Sequence, residues 1–177
     1  MRKQQKGFSL IELLIVVAII LIIAAIAIPS LLRSRMAAND SAAASTLRTI
    51  NTAEISYLTN YPLVGYSITL KALGPNGVDC TKPANVLLTG ACLIDDKVGC
   101  AADPCPKGGH NYSLVAGTAG VPAQDYAAGA SAIALGTSGL RNDCTMPDGV
   151  IRVETAPTQR NTVIMGDCST LYTALTT

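Results

Sequence analysis

An α+β chain is what this sequence predicts: a long N-terminal membrane-spanning helix packed on a C-terminal antiparallel β-sheet head. Three observations predict it. Leu13–Ile28 carries no polar side chain and follows a basic leader. Leu47, Ile50, Ala53, Tyr57, Leu58 and Tyr61 then recur at the spacing of one helical stripe. Strand-like runs separated by turn residues follow residue 110. Strands that come after a long helix, rather than alternating with helices, favour an antiparallel sheet laid on that helix.

The leader comes first. Met1–Gly7 holds Arg2, Lys3 and Lys6 and no acid, which sets a cytoplasmic N-terminus and an external C-terminus. Leu10–Leu32 is interrupted only by Glu12, Pro29 and Ser30, and a spanning helix needs about 20 mostly apolar residues. A secretory signal ranks second. Its apolar region is shorter, about 7–15 residues, and Ala24-Ala25-Ile26-Ala27 is a weak cleavage site. Glu12 is the one acid in the run. A carboxylate in lipid costs about 2.5–3.5 kcal/mol, so it needs a compensating partner. Ser9-x-x-Glu12 also fits a capping box, in which the two side chains satisfy orphan amides at a helix start.

The helix is expected to continue past Arg33-Ser34-Arg35 through the helix formers Ala37, Ala38, Ala42, Ala43 and Ala44. Arg48, Asn51 and Thr59 are expected to face away from the apolar stripe. Tyr61-Pro62 ends the helix, because a residue before Pro avoids helical geometry. Phe8 to about Asn60 would span about 80 Å. One globular head cannot bury that length, so the first half needs lipid or other copies of itself. Pro29 removes an amide donor and crowds the carbonyl of Ala25. The expected organisation is a leader over 1–7, a helix over 8–61 (8–32 in the membrane, 33–61 amphipathic) and a head over 62–177.

In the head, Thr69–Leu73 and Leu93–Val98 are each long enough for a helical turn or two, and Gly74-Pro75-Asn76-Gly77 is turn chemistry. The strand candidates are Asn111–Ala116, Tyr126–Ile133, Leu140–Thr145 and Val150–Glu154, with Pro147-Asp148-Gly149 a tight turn between the last two. The six cysteines, Cys80, Cys92, Cys100, Cys105, Cys144 and Cys168, all lie on the external side. An even count there favours disulfides, with 15 possible pairings. Cys80–Cys92 and Cys100–Cys105 would be local staples.

Catalytic and metal chemistry find little support. The formal net charge of +1 encodes no attraction to nucleic acid. Gly-x-Ser-x-Gly, phosphate-loop and dinucleotide fingerprints are absent. His110 is the only histidine and reads as a surface or turn residue. Cys100-x4-Cys105-x4-His110 departs from the short cysteine pairs of zinc modules. Asp95-Asp96 reads as a solvated turn, and Tyr57, Tyr61 and Tyr66 as core. No cofactor is expected.

Lys6-Gly7-Phe8-Ser9-Leu10-Ile11-Glu12-Leu13 resembles the processing site of type IV pilins and of the related pseudopilins of type II secretion. The resemblance is close over about the first third of the chain and extends to the rest as a general plan. It implies that a membrane-embedded prepilin peptidase cuts between Gly7 and Phe8 and methylates the new N-terminus at Phe8. It implies that Glu12 pairs with the Phe8 amine of a neighbouring subunit, and that the stretch before Pro29, about Leu21–Ile28, loses helical order in the filament. It favours a Cys144–Cys168 staple. Pseudopilins can hold calcium near their C-terminus, where Asp143, Asp148 and Asp167 lie, but these match no calcium loop. The function implied is a non-enzymatic structural subunit that polymerises into a type IV pilus-like filament. Its partners would be itself, the peptidase, an inner-membrane assembly platform with its ATPase, and lipid before assembly. The subunit would sit in a bacterial inner membrane and then in an extracellular filament. The alternative is a type II secretion pseudopilin or a minor pilin, and behind these a membrane-anchored periplasmic enzyme or binding protein.

Overall fold

The computed structural model describes residues 8–82, 88–117, 122–162 and 165–175. The chain forms two compact units, one ending at Arg35 and the other running from Met36. Helix α1, Leu10–Asn60, contributes to both. In the first unit it is a helix whose large apolar side chains, from Leu10 to Leu32, are all exposed. Pro29 lies inside α1 without ending it.

The second unit is the head. Its part of α1 buries Ala43, Ala44, Leu47, Ile50, Ala53 and Tyr57, which form the core with Tyr112, Leu114, Tyr126, Ala128 and Ala130 of the sheet. The helix ends at Asn60, and the Tyr61 amide still reaches the Tyr57 carbonyl at 2.9 Å, so the stop before Pro62 is where sequence placed it. Asn51 departs from expectation: it is buried. Its Nδ2 donates to Thr145 Oγ1 at 2.8 Å, and the Tyr126 hydroxyl donates to its Oδ1 at 2.7 Å. A polar side chain can face a sheet when the sheet supplies both partners.

Helix α2, Leu70–Leu73, starts at Thr69, whose side chain accepts from the Ala72 amide. The Val78 amide closes the expected turn on the Pro75 carbonyl at 2.7 Å. Leu93–Val98 is not a helix. Asp95 Oδ1 accepts from the Lys97 and Val98 amides, an Asx-type closure that competes with helix formation. The Gly99 amide ends this turn on the Asp95 carbonyl.

Among the described residues the sheet has six strands in sequential, all-antiparallel order. They are β1 Cys105–Lys107, β2 His110–Ala116, β3 Tyr126–Ala132, β4 Asp143–Thr145, β5 Ile151–Glu154 and β6 Tyr172–Ala174. Helix α3, Met165–Thr170, precedes β6. The central pair runs from His110↔Ala132 to Ala116↔Tyr126. This register puts Tyr112, Leu114, Tyr126, Ala128 and Ala130 on the face towards α1. Strand β3 is Tyr-Ala-Ala-Gly-Ala-Ser-Ala and is buried throughout. Its small side chains serve two layers at once. On the far face, Ala127, Cys144, Cys168 and Tyr172 form a second cluster. The β4 strand is shorter than the Leu140–Thr145 expected: the Leu140 amide and the Arg141 side chain turn to Asp40 of α1, and the Asn142 side chain accepts from the Ala132 amide while its backbone carbonyl still accepts from the Glu154 amide. Strands β1 and β6 and helix α3 lack a periodic signal long enough to read from sequence. The turn at Pro147–Gly149 closes through the Gly149 amide on the Met146 carbonyl at 2.9 Å.

Candidate assembly helix and its supporting head

The N-terminal segment is the functional candidate. Phe8 is 79% exposed and Ile26 74% exposed, in a stretch where hydrocarbon dominates the helix surface. Among the described residues, α1 is the one helix long and apolar enough to cross a membrane. Gly7, on the leader side of the expected cut, lies outside the described residues. Glu12 is exposed, and its Oε2 accepts from the Ser9 amide at 2.9 Å. That is one half of a capping box. The carboxylate keeps a second oxygen for another donor.

Three disulfides staple the head: Cys80–Cys92, Cys100–Cys105 and Cys144–Cys168, with Cα–Cα separations of 5.7, 5.8 and 5.9 Å. The third ties α3 to β4 across the far face of the sheet. Nearby, Arg160 donates to Glu154 at 2.9 Å and to Asp167 at 2.8 Å, holding the segment before α3 against β5. Asp148 takes the Arg152 guanidinium, which draws its carboxyl below the usual range. Asp143 is buried beside Arg141. The three C-terminal aspartates thus each have their own arginine, and they do not converge. Among the described residues no three His, Cys, Asp or Glu side chains are placed to hold one metal ion together. Asp95 accepts from Lys107 Nζ at 2.7 Å, and Asp96 is exposed.

His110 corrects the surface expectation: it is wholly buried, with Nε2 3.3 Å from Asp40 Oδ1. Asp40 and Glu54 were not singled out by sequence reading, yet both are buried. The signal was present: each lies seven residues from Leu47, on the buried stripe. Glu54 Oε2 accepts from the Ser67 amide at 2.8 Å. Burial pushes this carboxyl up to about 8, with the Ser67 amide pulling the other way. A groove of about 350 Å³ beside Tyr57, Val64, Tyr66 and Ile68 has, among the described residues, Lys71 as its one charged lining residue.

An apolar helix with a lone carboxylate in its first turn, and a disulfide-stapled antiparallel sheet in the head, make up a pilin-like α+β architecture. Comparison with known proteins makes the class more specific. Residues 2–28 match the family described as the prokaryotic N-terminal methylation motif. The chain is also similar to the Type IV wide pilus major component PilA4 of Thermus thermophilus, 40% identical over 85 residues, which is 48% of this chain and 62% of that protein. The match therefore spans less than two thirds of the relative. No solved structure matches. The motif and the relative together support the type IV pilin family, and that relative is named as a major component of a pilus.

Proposed function

We propose that the chain is a structural pilin subunit, cut between Gly7 and Phe8, N-methylated at Phe8, and polymerised through its N-terminal helix into a type IV pilus-like filament. The observation that carries this is the exposed apolar surface from Phe8 to Leu32 with Glu12 at its edge. Burying such a surface is worth about 25 cal/mol per Å², whether lipid or other copies cover it. Lipid covers it before assembly, and neighbouring helices cover it afterwards. Methylation leaves the Phe8 amine able to carry a charge, so it can pair with Glu12 of a neighbour. The prepilin peptidase, the assembly platform with its ATPase, and the passage from inner membrane to extracellular filament follow from the resemblance.

The test is mass spectrometry of filaments sheared from cells that express the chain. The expected main component starts at monomethylated Phe8. A mature chain that starts near Pro29, or one that keeps Met1, refutes the processing scheme. A mature subunit found only in the cell envelope, with no surface filament, favours the pseudopilin alternative.

A further inference from the structure

Four ionisable side chains meet in the head where the β3–β4 loop crosses α1. Asp40 of α1 is 5% exposed, and His110 of β2 and Asp143 of β4 are fully buried. Arg141 Nε lies 3.1 Å from Asp143 Oδ1, and Arg141 Nη2 donates to the Asp40 carbonyl at 3.4 Å. The loop is fastened to the helix by neighbouring contacts. Asn39 Nδ2 donates to the Ser138 carbonyl at 2.6 Å, and the Leu140 amide lies 3.2 Å from both Asp40 carboxylate oxygens. Gly139 lets the backbone close over the cluster, since a Cβ there would lie 2.7 Å from both Asp40 Oδ1 and His110 Cε1.

The charge count does not balance without help. Two carboxylates face one guanidinium. With a neutral imidazole and both acids ionised, the cluster carries one net negative charge out of water. One proton, on the Asp143 carboxyl, restores neutrality. Among the described residues no other charge supplies the balance. Lys107, opposite His110 in the β1–β2 register, is engaged by Asp95. Tyr112 faces Asp143 as a neutral phenol, raised by burial. The β3 residues at this end, Ala130 and Ala132, and Val153 of β5 are apolar. Neither Asp143 oxygen nor either His110 nitrogen makes an aligned hydrogen bond. A buried polar group in that condition is costly, so the cluster is a weak point of the head.

We propose that the Asp40–His110–Arg141–Asp143 cluster is a one-proton latch: a single buried proton fastens the β3–β4 loop to α1, and its loss frees the loop. The device concerns the head alone and stands whether or not the filament reading does. Burial, reinforced by Asp40 and opposed by Arg141, pushes the Asp143 carboxyl up to about 7. The sign follows from linkage. A carboxyl raised in the closed state stabilises closure fully below its open-state value. That contribution is lost as pH rises to the closed-state value.

The experiment is amide hydrogen exchange on the full chain in detergent micelles, read as the opening constant at Leu140 after correction for intrinsic rates. The wild-type constant should rise about tenfold per pH unit between pH 5 and 6.5 and level off above the Asp143 midpoint. Asp143→Asn should flatten the profile, and Glu54→Gln should leave it sloped. A flat wild-type profile, or a slope that survives in Asp143→Asn, overturns the latch. Should Asp143→Asn fail to fold, carbon-13 titration of the wild type decides. The Asp143 carboxyl midpoint should coincide with the pH at which Leu140 levels off, and distinct values overturn the proposal.

Discussion

Replacing Glu12 by Ala separates the two roles this carboxylate can have. The substitution removes the contact from the Ser9 amide at 2.9 Å. Losing a capping contact of this kind costs about 0.5–2 kcal/mol of helix stability. It also removes a charge whose insertion costs about 2.5–3.5 kcal/mol. The balance favours the membrane-inserted subunit, so membrane retention should persist or improve. Cleavage after Gly7 should persist too, because the scissile bond is untouched. Assembly should move the other way. An amine and a carboxylate about 4 Å apart attract by about 4 kcal/mol at an effective dielectric of 20. That is close to a thousandfold in subunit association, at about 1.4 kcal/mol per factor of ten. The assay is surface filament yield measured beside the cleaved subunit in the membrane fraction. Glu12→Gln is the companion variant: it keeps an acceptor for the Ser9 amide and loses the charge. Both variants should fail to assemble while cleaved subunit accumulates. Normal filament yield from Glu12→Ala would refute the pairing mechanism, and normal yield from Gln but not Ala would assign Glu12 to capping.

Three further outcomes test the head. Cys144→Ser with Cys168→Ser opens a staple of sequence separation 24; the chain-entropy relation gives a loss of about 3.5 kcal/mol, read by denaturant unfolding, and an unchanged midpoint would contradict it. Leu47→Ala, at a fully buried core position, should cost about 2–5 kcal/mol in the same measurement. For Glu54, whose carboxyl burial raises from 4.5 to about 8, the stabilisation is complete below pH 4.5. It falls by about 1.4 kcal/mol per unit as pH rises towards 8. Glu54→Gln should remove that slope while leaving the Asp143 contribution, and an unaltered pH profile would show that Glu54 is not neutral in the fold.

Much of this architecture was legible because its signals are local and periodic. The α1 stop before Pro62, the helical turn within Thr69–Leu73 and the Pro147–Gly149 turn are each encoded within a few residues. Strands β2, β3 and β5 carry runs long enough to stand out, whereas β1 and β6 are three residues each and exist through their ladder partners. Leu93–Val98 has helical composition, but Asp95 captures the amides a helix would use. Asn51 and His110 misled because residue type alone suggests the surface. Their burial depends on Thr145 and Tyr126 for one and on Asp40 for the other, all distant in sequence.

By itself, the sequence determined the properties that depend on neighbouring residues: the basic leader, the apolar helix with Glu12 at its edge, the point where that helix stops, and the antiparallel character of the head. These follow from hydrophobic periodicity and turn chemistry, which act over a few residues at a time. Only the tertiary structure decided which polar side chains go inside. Asp40, Asn51 and Glu54 occupy the same helical stripe as Leu47 and Ile50. What admits them to the core is the particular set of donors and acceptors brought from β2, β3, β4 and the segment at Ser67. Tertiary placement likewise set which cysteines meet, since Cys144 and Cys168 face each other only once α3 lies across β4. A buried charge or disulfide is a statement about groups far apart in the chain, and no local pattern specifies which groups those will be.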